Sequence, residues 1–270
     1  MKILIAPDSF KGTATAAQAA RSLADGWRSG RPHDDVVLLP MADGGEGTLE
    51  AVASATPGTE VRPAPGCTGP DGRSVEGAYA MLPDGTALVE LAIASGLPLL
   101  EGRLAPLTAT TRGTGETLAR ALADGARRLV VALGGSASTD GGAGLLSALG
   151  LRLLDADGRP LTDGGGALVQ AATADLTMLR PPPPGGVLLL SDVTNPLRGP
   201  EGAAAVYGPQ KGAGPGEVAH LDRGLARLAS LLGGEPEAPG AGAAGGTAYG
   251  LAAAWDAQPA GGSDSRRLTV

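Results

Sequence analysis

The 270-residue chain carries a net charge of −7, which argues against a surface dedicated to nucleic acid, since such a surface needs clustered lysine and arginine. Its hydrophobic fraction of 43% is enough to bury a core, although 45 glycines and 22 prolines indicate unusually many turns. The single cysteine excludes an internal disulfide, and no apolar run is long enough to span a membrane. We therefore expect a globular enzyme or binding protein of the cytoplasm, with neither nucleic acid nor membrane as its partner.

Strands, glycine-containing loops and helices alternate along much of the chain, which is the pattern of a parallel α/β sheet. Between the second and third apolar runs, two further apolar stretches flank Asp84-Gly85, which favours a hairpin. The predicted fold is therefore α/β, with a parallel flavodoxin-like (doubly wound) sheet domain and a smaller mixed α/β domain. The apolar runs that carry the alternation are residues 2–6, 35–41, 127–133 and 187–193.

The change from alternating strands and helices to a predicted hairpin suggests where the domains divide. We predict a discontinuous α/β phosphate-binding core formed by residues 1–62 and 113–254. Residues 63–112 are expected to form a β-rich insertion or second domain. The mostly polar and unpatterned residues 255–270 are expected to be an irregular tail.

The loop of residues 134–144, with the sequence GGSASTDGGAG, is the most specific candidate for a ligand site. It follows an apolar strand and opens a helix, so its glycines allow close approach of the backbone and its N–H groups can bind an anion. We predict that Gly134, Gly135 and Ser136 bind phosphate. A structural turn with ordinary helix capping is the alternative.

A second glycine-rich loop, residues 43–48, has the sequence DGGEGT and contains two carboxylates. Carboxylate oxygens suit Mg²⁺, so we predict Asp43 and Glu46 as metal ligands. The alternative is an Asp-Gly turn followed by a charged first helical turn, which the helix dipole favours.

Acidic residues and a lysine also follow two of the predicted strands. Asp8 and Lys11 come after the first strand, and Asp192 ends the fourth. Because ligands of open parallel sheets bind beyond the carboxyl edge, we expect both acids at one edge, where they suit a metal or a general base. We therefore predict Asp8, Lys11 and Asp192 as the catalytic residues, with two capping aspartates as the alternative.

Further polar residues are weaker candidates for contacts with a substrate. Arg112 could pair with the carboxylate of a small acid, with a solvated surface arginine as the alternative. Lys211, like Lys11, lies in a glycine-containing loop of a chain that has only three lysines, which suggests an ammonium group directed at a phosphate; placement by chance is the alternative. The remaining candidates are Ser95, Gly96 and Asn195.

Five segments together resemble the glycerate kinase family, which phosphorylates D-glycerate with ATP. They are KILIAPDSFKGT, PMADGGEGT, GGSASTDGGAG, DVTNPLRGPEGAAAVYGPQKGA and PGAGAAGG, and they lie in the family's order. The resemblance implies an ATP- and Mg²⁺-dependent kinase that forms 2-phosphoglycerate, with 3-phosphoglycerate as the alternative product. It also implies two α/β domains with the active site in the cleft between them.

The resemblance also implies roles for individual residues. Lys11, Ser136 and the backbone of residues 134–144 would hold phosphate groups. Asp43 and Asp192 would hold the metal or accept the hydroxyl proton. Ser95, Arg112 and Lys211 would contact glycerate.

Family members continue beyond the last residue of this chain, so the resemblance implies a C-terminal truncation with strands of the family fold missing. A truncated kinase could remain active, or it could be a non-catalytic α/β remnant that binds an anion or a partner. A phosphate-binding enzyme unrelated to kinases, such as a phosphosugar isomerase, is a third possibility. Turnover that depends on both ATP and glycerate distinguishes the first reading from the other two.

Overall fold

The computed structural model describes residues 1–10 and 13–260. Among these residues, no helix has the length and apolar character needed to cross a bilayer. The strands are β1 (Lys2–Ile5), β2 (Asp35–Leu38), β3 (Glu60–Thr68), β4 (Ser74–Met81), β5 (Thr86–Glu90), β6 (Arg128–Ala132), β7 (Arg152–Leu154), β8 (Thr173–Asp175), β9 (Val187–Leu190) and β10 (Gln258–Pro259). The helices are α1 (Ala16–Gly30), α2 (Thr48–Ala55), α3 (Leu91–Ser95), α4 (Arg112–Ala123), α5 (Ala143–Ala148), α6 (Ala203–Tyr207), α7 (Pro215–Leu232) and α8 (Ala243–Trp255).

Six strands form the main sheet, in the order β10-β9-β6-β5-β4-β3. The first four are parallel to one another, whereas β4 and β3 run antiparallel at the far side. The predicted α/β class with a largely parallel sheet is therefore confirmed.

The side chains of β6 alternate between two buried layers, because successive residues of a strand point to opposite faces of the sheet. Leu129 and Val131 belong to the larger hydrophobic cluster, which includes residues of α4, α5, α7 and α8. Val130 and Ala132 belong to a smaller cluster with residues of α2. Helices thus cover both faces, as buried parallel strands require.

The first two strands do not join the main sheet. β1 and β2 pair in parallel only with each other, and α1 packs on this small sheet through Ala20 and Ala24. The expectation that β1 and β9 share one sheet edge is therefore wrong. Apolar runs indicate where strands lie, but strand pairing depends on how the whole chain packs.

Residues 63–112 contribute to the main sheet instead of forming a separate β layer. β5 pairs in parallel with β6 along its whole length, and the hairpin at Asp84-Gly85 brings β4 beside β5. Gly85 has a φ of +82°, and its N–H donates to the carbonyl of Leu82 at 3.0 Å. The left-handed backbone explains the glycine at this turn. The hairpin forms as predicted, but its strands are not set apart from the core.

The predicted irregular tail is wrong for residues 255–260. Trp255 ends α8, and its indole N–H donates to the carbonyl of Arg180 at 2.8 Å. Gln258–Pro259 then pairs with β9, and the N–H of Ala260 donates to the carbonyl of Leu189 at 2.8 Å. The other residues of the predicted tail, 261–270, lie outside the described part of the chain.

Candidate active site

A cleft of about 570 Å³ opens at the carboxyl ends of β6 and β9, where open parallel sheets bind their ligands. Its volume is in the range of small-molecule sites. Segments that are distant in sequence meet here, and each contributes a few residues to the lining. These residues come from 43–46, 97–104, 133–136, 191–193, 207–211 and 244–245.

The two predicted glycine-rich loops touch backbone to backbone in this cleft. The N–H of Gly134 donates to the carbonyl of Gly44 at 2.8 Å, and a Cβ on Gly134 would lie 2.4 Å from the Cα of Gly45. A Cβ on Gly44, whose φ is +89°, would lie 2.7 Å from the carbonyl oxygen of Leu190. Only glycine allows contacts this close, so both loops form one continuous wall.

Lys211 is the buried cation of the cleft, with 2% of its surface exposed. Its ammonium group donates to Oγ of Ser136 at 2.8 Å and to the carbonyl of Ser138 at 2.5 Å. Burial lowers the pKa of Lys211 to about 8, although the nearby charge of Asp140 acts against this shift. An ammonium group has three protons, and only two have partners among the described residues, which leaves one for a ligand oxygen.

Asp140 is a fully buried carboxylate behind the loop of residues 134–144. It accepts hydrogen bonds from the N–H and the hydroxyl of Thr111, at 2.9 and 2.8 Å, and from the N–H groups of Gly142 and Gly144, both at 3.2 Å. Desolvation raises its pKa, and these hydrogen bonds oppose the rise. Asp140 therefore ties the loop to the starts of α4 and α5.

Three exposed carboxylates, those of Asp43, Glu46 and Asp192, line the same cleft. Oδ1 of Asp43 accepts the N–H of Gly45 at 2.9 Å, which holds this carboxylate at the start of the turn. Within residues 1–10 and 13–260, no group of three His, Cys, Asp or Glu side chains could hold a metal by itself. A metal at this wall would need further oxygen ligands from water or a bound substrate.

Ser95 and Gly96 lie behind the cleft and are not part of its lining. The buried hydroxyl oxygen of Ser95 accepts the hydroxyl proton of Thr114 at 2.9 Å. Gly96 forms a β-bridge with Ser136. Because these contacts are internal, the position of both residues supports the 134–136 loop and does not match the substrate contacts predicted for them.

Arg112 lies in a separate cavity of about 200 Å³. Its Nε and Nη2 donate to the two carboxylate oxygens of Asp163 at 2.5 and 2.7 Å, and this partner raises the pKa of the guanidinium group. A bidentate pair of this kind occupies the face of arginine that would bind a carboxylate ligand. The position therefore does not match the predicted contact with glycerate.

Of the predicted catalytic residues that the structure describes, Asp192 lines the cleft and Asp8 does not. Asp8 follows β1 on the small sheet, where its carboxylate accepts the N–H of Ser9 at 2.6 Å. Lys11 lies outside the described residues. Asn195 is also absent from the lining, but its Oδ1 accepts the hydroxyl of Tyr207 at 2.7 Å, and Tyr207 does line the cleft.

Comparison with known proteins identifies the family. The model of the glycerate kinase family matches residues 3–265 of the chain. The chain belongs to the glycerate kinase family. The resemblance inferred from five motifs is thereby confirmed, and so is the enzyme class, a kinase.

Several members of this family are similar over most of the chain. The glycerate kinase of Bacillus subtilis (strain 168) is 46% identical over 259 residues, which are 93% of this chain and 67% of that protein. The glycerate 2-kinase of Escherichia coli (strain K12) is 42% identical, over 94% of this chain and 68% of its own length. A solved structure of a protein assigned as glycerate kinase 2, from Salmonella typhimurium LT2, has a TM-score of 0.88 and 40% identity, covering 100% of this chain and 73% of that one. These coverages do not establish the predicted truncation.

Sequence reasoning did not select Asp140, Glu90 or Tyr207 as site residues. Asp140 had a signal, since it lies inside the predicted loop just before two glycines and a helix. Glu90 is buried at the end of β5 and accepts the N–H groups of Gly47 and Leu49, both at 3.0 Å. It therefore holds the start of α2, which directly follows the 43–46 loop. Nothing local distinguishes Glu90 or Tyr207 from an ordinary strand or helix residue.

Proposed function

We propose that this member of the glycerate kinase family transfers the terminal phosphoryl group of ATP to a hydroxyl of D-glycerate. The observation that carries the proposal is one cleft in which glycine backbone, the Lys211 ammonium group and the carboxylates of Asp43 and Asp192 meet. The names of the relatives from B. subtilis and E. coli support glycerate as the substrate. The name glycerate 2-kinase of the E. coli relative favours 2-phosphoglycerate as the product.

Lys211 and Ser136 are the side chains best suited to hold phosphate oxygens. They already share a hydrogen bond, and the backbone of Gly135 lies on the same wall, whereas the N–H of Gly134 is already donated to the carbonyl of Gly44. A positive charge held away from bulk water neutralises negative charge more effectively than an exposed one. This arrangement would stabilise the charge on the phosphoryl group as it is transferred.

The chemical step needs little covalent help from the protein. A hydroxyl oxygen of glycerate bonds to the terminal phosphorus of ATP, the bond from that phosphorus to the bridging oxygen breaks, and ADP leaves. We assign acceptance of the hydroxyl proton to the carboxylate of Asp192, which lies in the lining just after β9.

Asp43 and Glu46 fit a magnesium ion that is bound together with ATP. Both are exposed carboxylates on the same wall, and Mg²⁺ commonly takes one or two carboxylates plus substrate phosphates and water. When bound, Mg²⁺ would supply positive charge to the phosphates of ATP.

Release of ADP from ATP by the purified chain, measured with and without D-glycerate, tests the proposal. We expect release that requires D-glycerate and falls when Mg²⁺ is chelated. Phosphorus NMR of the product then identifies the hydroxyl that carries the phosphate. Absence of glycerate-dependent ADP release would refute the proposed function.

Two variants test the assigned roles. Lys211→Met should lower kcat/KM by about a hundredfold or more, the scale of losing a donor that stabilises transition-state charge. Lys2→Met, which removes an exposed lysine from β1, is the matched control and should leave kinetics unchanged.

Asp192→Asn should lower kcat by about a hundredfold or more while ATP still binds, because a general base acts in the chemical step. Full activity of Asp192→Asn would remove Asp192 from that role.

A further inference from the structure

A second cavity, of about 500 Å³, lies next to the cleft and shares Leu133, Ser191 and Val193 with it. These three residues follow the carboxyl ends of β6 and β9, so the second cavity continues the cleft along the same sheet edge. The rest of its lining comes mainly from the 234–241 loop, from α8 and from residues 256–259. One ligand can therefore extend from the cleft into the second cavity.

The walls of the second cavity are largely small and apolar. Tyr249 adds an aromatic ring, which its hydroxyl fixes in place by donating to the carbonyl of Gly233. Flat apolar rings bind well in cavities with such walls, because aromatic and aliphatic surface is buried together. Alanine side chains provide much of the space, at positions 238, 241, 248, 252, 253 and 257.

Both cavities contain carboxylates, but only the cleft also contains a cation. The cleft holds the ammonium group of Lys211, whereas the lining of the second cavity, all of it within the described residues, contains no lysine, arginine or histidine. The carboxylates of the second cavity, those of Glu235 and Asp256, therefore have no cation among the lining residues to offset their charge. Carboxylates repel a phosphate but accept hydrogen bonds from hydroxyl and amino groups. The charged end of a shared ligand therefore belongs in the cleft and an uncharged end in the second cavity.

From this continuity and from the position of Lys211 in the cleft, we propose that the second cavity binds the adenosine part of ATP, with its triphosphate extending past Ser191 and Val193 into the cleft. This inference rests on the proposed function, since it takes ATP as the phosphoryl donor. Glu235 and Asp256 are the acceptors available to the ribose hydroxyls or the adenine amino group.

Calorimetric titration of the full chain with adenosine, with inorganic triphosphate and with ATP tests the inference without any turnover. Ala252 is an exposed residue of α8 that lines the second cavity, so Ala252→Trp would fill the cavity without entering the hydrophobic core. Leu23→Trp, at an exposed position of α1 outside both cavities, is the control. Ala252→Val adds less volume and should have an intermediate effect.

We expect Ala252→Trp to weaken adenosine and ATP by about tenfold or more, which corresponds to about 1.4 kcal/mol, while the affinity for inorganic triphosphate stays unchanged. The Leu23→Trp variant should bind all three ligands like the wild-type chain. Unchanged adenosine affinity in Ala252→Trp, or an equal loss for inorganic triphosphate, overturns the inference. Circular dichroism checks folding, and Ala252→Val decides the question in the same way if the tryptophan variant does not fold.

The same measurements separate this inference from the proposed function. Adenosine binding that is sensitive to Ala252→Trp, in a chain without glycerate-dependent ADP release, supports the second cavity and refutes only the kinase reaction. Normal turnover combined with adenosine binding that is insensitive to Ala252→Trp supports the reaction and refutes the second cavity.

Discussion

Lys211 should give the protein a pH dependence of stability that the Lys211→Met variant lacks. Burial lowers the pKa of Lys211 to about 8 in the folded chain, whereas an unfolded lysine titrates near its ordinary value of 10.5. Below pH 8 both states carry the proton, so the cost of burying the charge is fully present. Between about pH 8 and 10.5 the unfolded chain binds a proton that the folded chain has lost, so the free energy of unfolding rises with pH.

The expected size of this effect follows from the two pKa values. Their separation corresponds to about 3 kcal/mol of unfolding free energy, which the wild-type chain regains between about pH 7 and 10.5. Asp140 is the charged group that limits the shift, and Ser136 and Ser138 supply the hydrogen bonds of the ammonium group. ATP affinity should move in the opposite direction, because a neutral amine no longer attracts phosphate.

Urea unfolding of both chains at about pH 7, 9 and 10 measures the effect. The difference in unfolding free energy between wild type and Lys211→Met isolates this one group, because all other titrations are common to both. The difference should shift by about 2.5 kcal/mol in favour of the wild-type chain between pH 7 and pH 10. Lys2→Met should show no such shift. A difference that stays constant over this range would refute the reasoning about Lys211.

Three further substitutions test the architecture of the site. Gly134→Ala should lower the free energy of unfolding by about 1–3 kcal/mol and abolish most activity, because the added Cβ would lie 2.4 Å from the Cα of Gly45. Gly26→Ala on α1 is the control, since a Cβ there would have no atom within 4 Å. Equal unfolding of the two variants in urea would contradict the prediction. Arg112→Gln should lower the free energy of unfolding by about 1 kcal/mol, because the pair with Asp163 is lost, and it should leave the KM values for ATP and glycerate unchanged. A raised KM for glycerate would instead support a substrate contact by Arg112. Glu90→Gln should lower the free energy of unfolding by about 1–3 kcal/mol, because a carboxylate whose two oxygens each accept an N–H group is replaced by an amide with one oxygen. Unchanged thermal unfolding would contradict the role of Glu90 in holding the start of α2.

The sequence by itself determined the features that depend on neighbouring residues. The apolar stretches on either side of Asp84-Gly85 predicted the hairpin, and the glycines of residues 43–46 and 134–136 predicted two candidate ligand loops. The alternation of apolar runs with helices predicted the α/β class. The five motifs indicated the family, because long motifs in a conserved order seldom arise by chance.

Only the tertiary structure decided which distant residues meet. Ser136 and Lys211 are 75 positions apart and share a hydrogen bond, whereas Arg112 pairs with Asp163 away from the cleft. Asp8 and Asp192 both follow strands, but those strands belong to different sheets. Local residue patterns favour a strand, a turn or an anion-binding loop, and the packing of hydrophobic clusters sets the partners of each. The cleft and the second cavity therefore exist only because β6, β9 and α8 pack together.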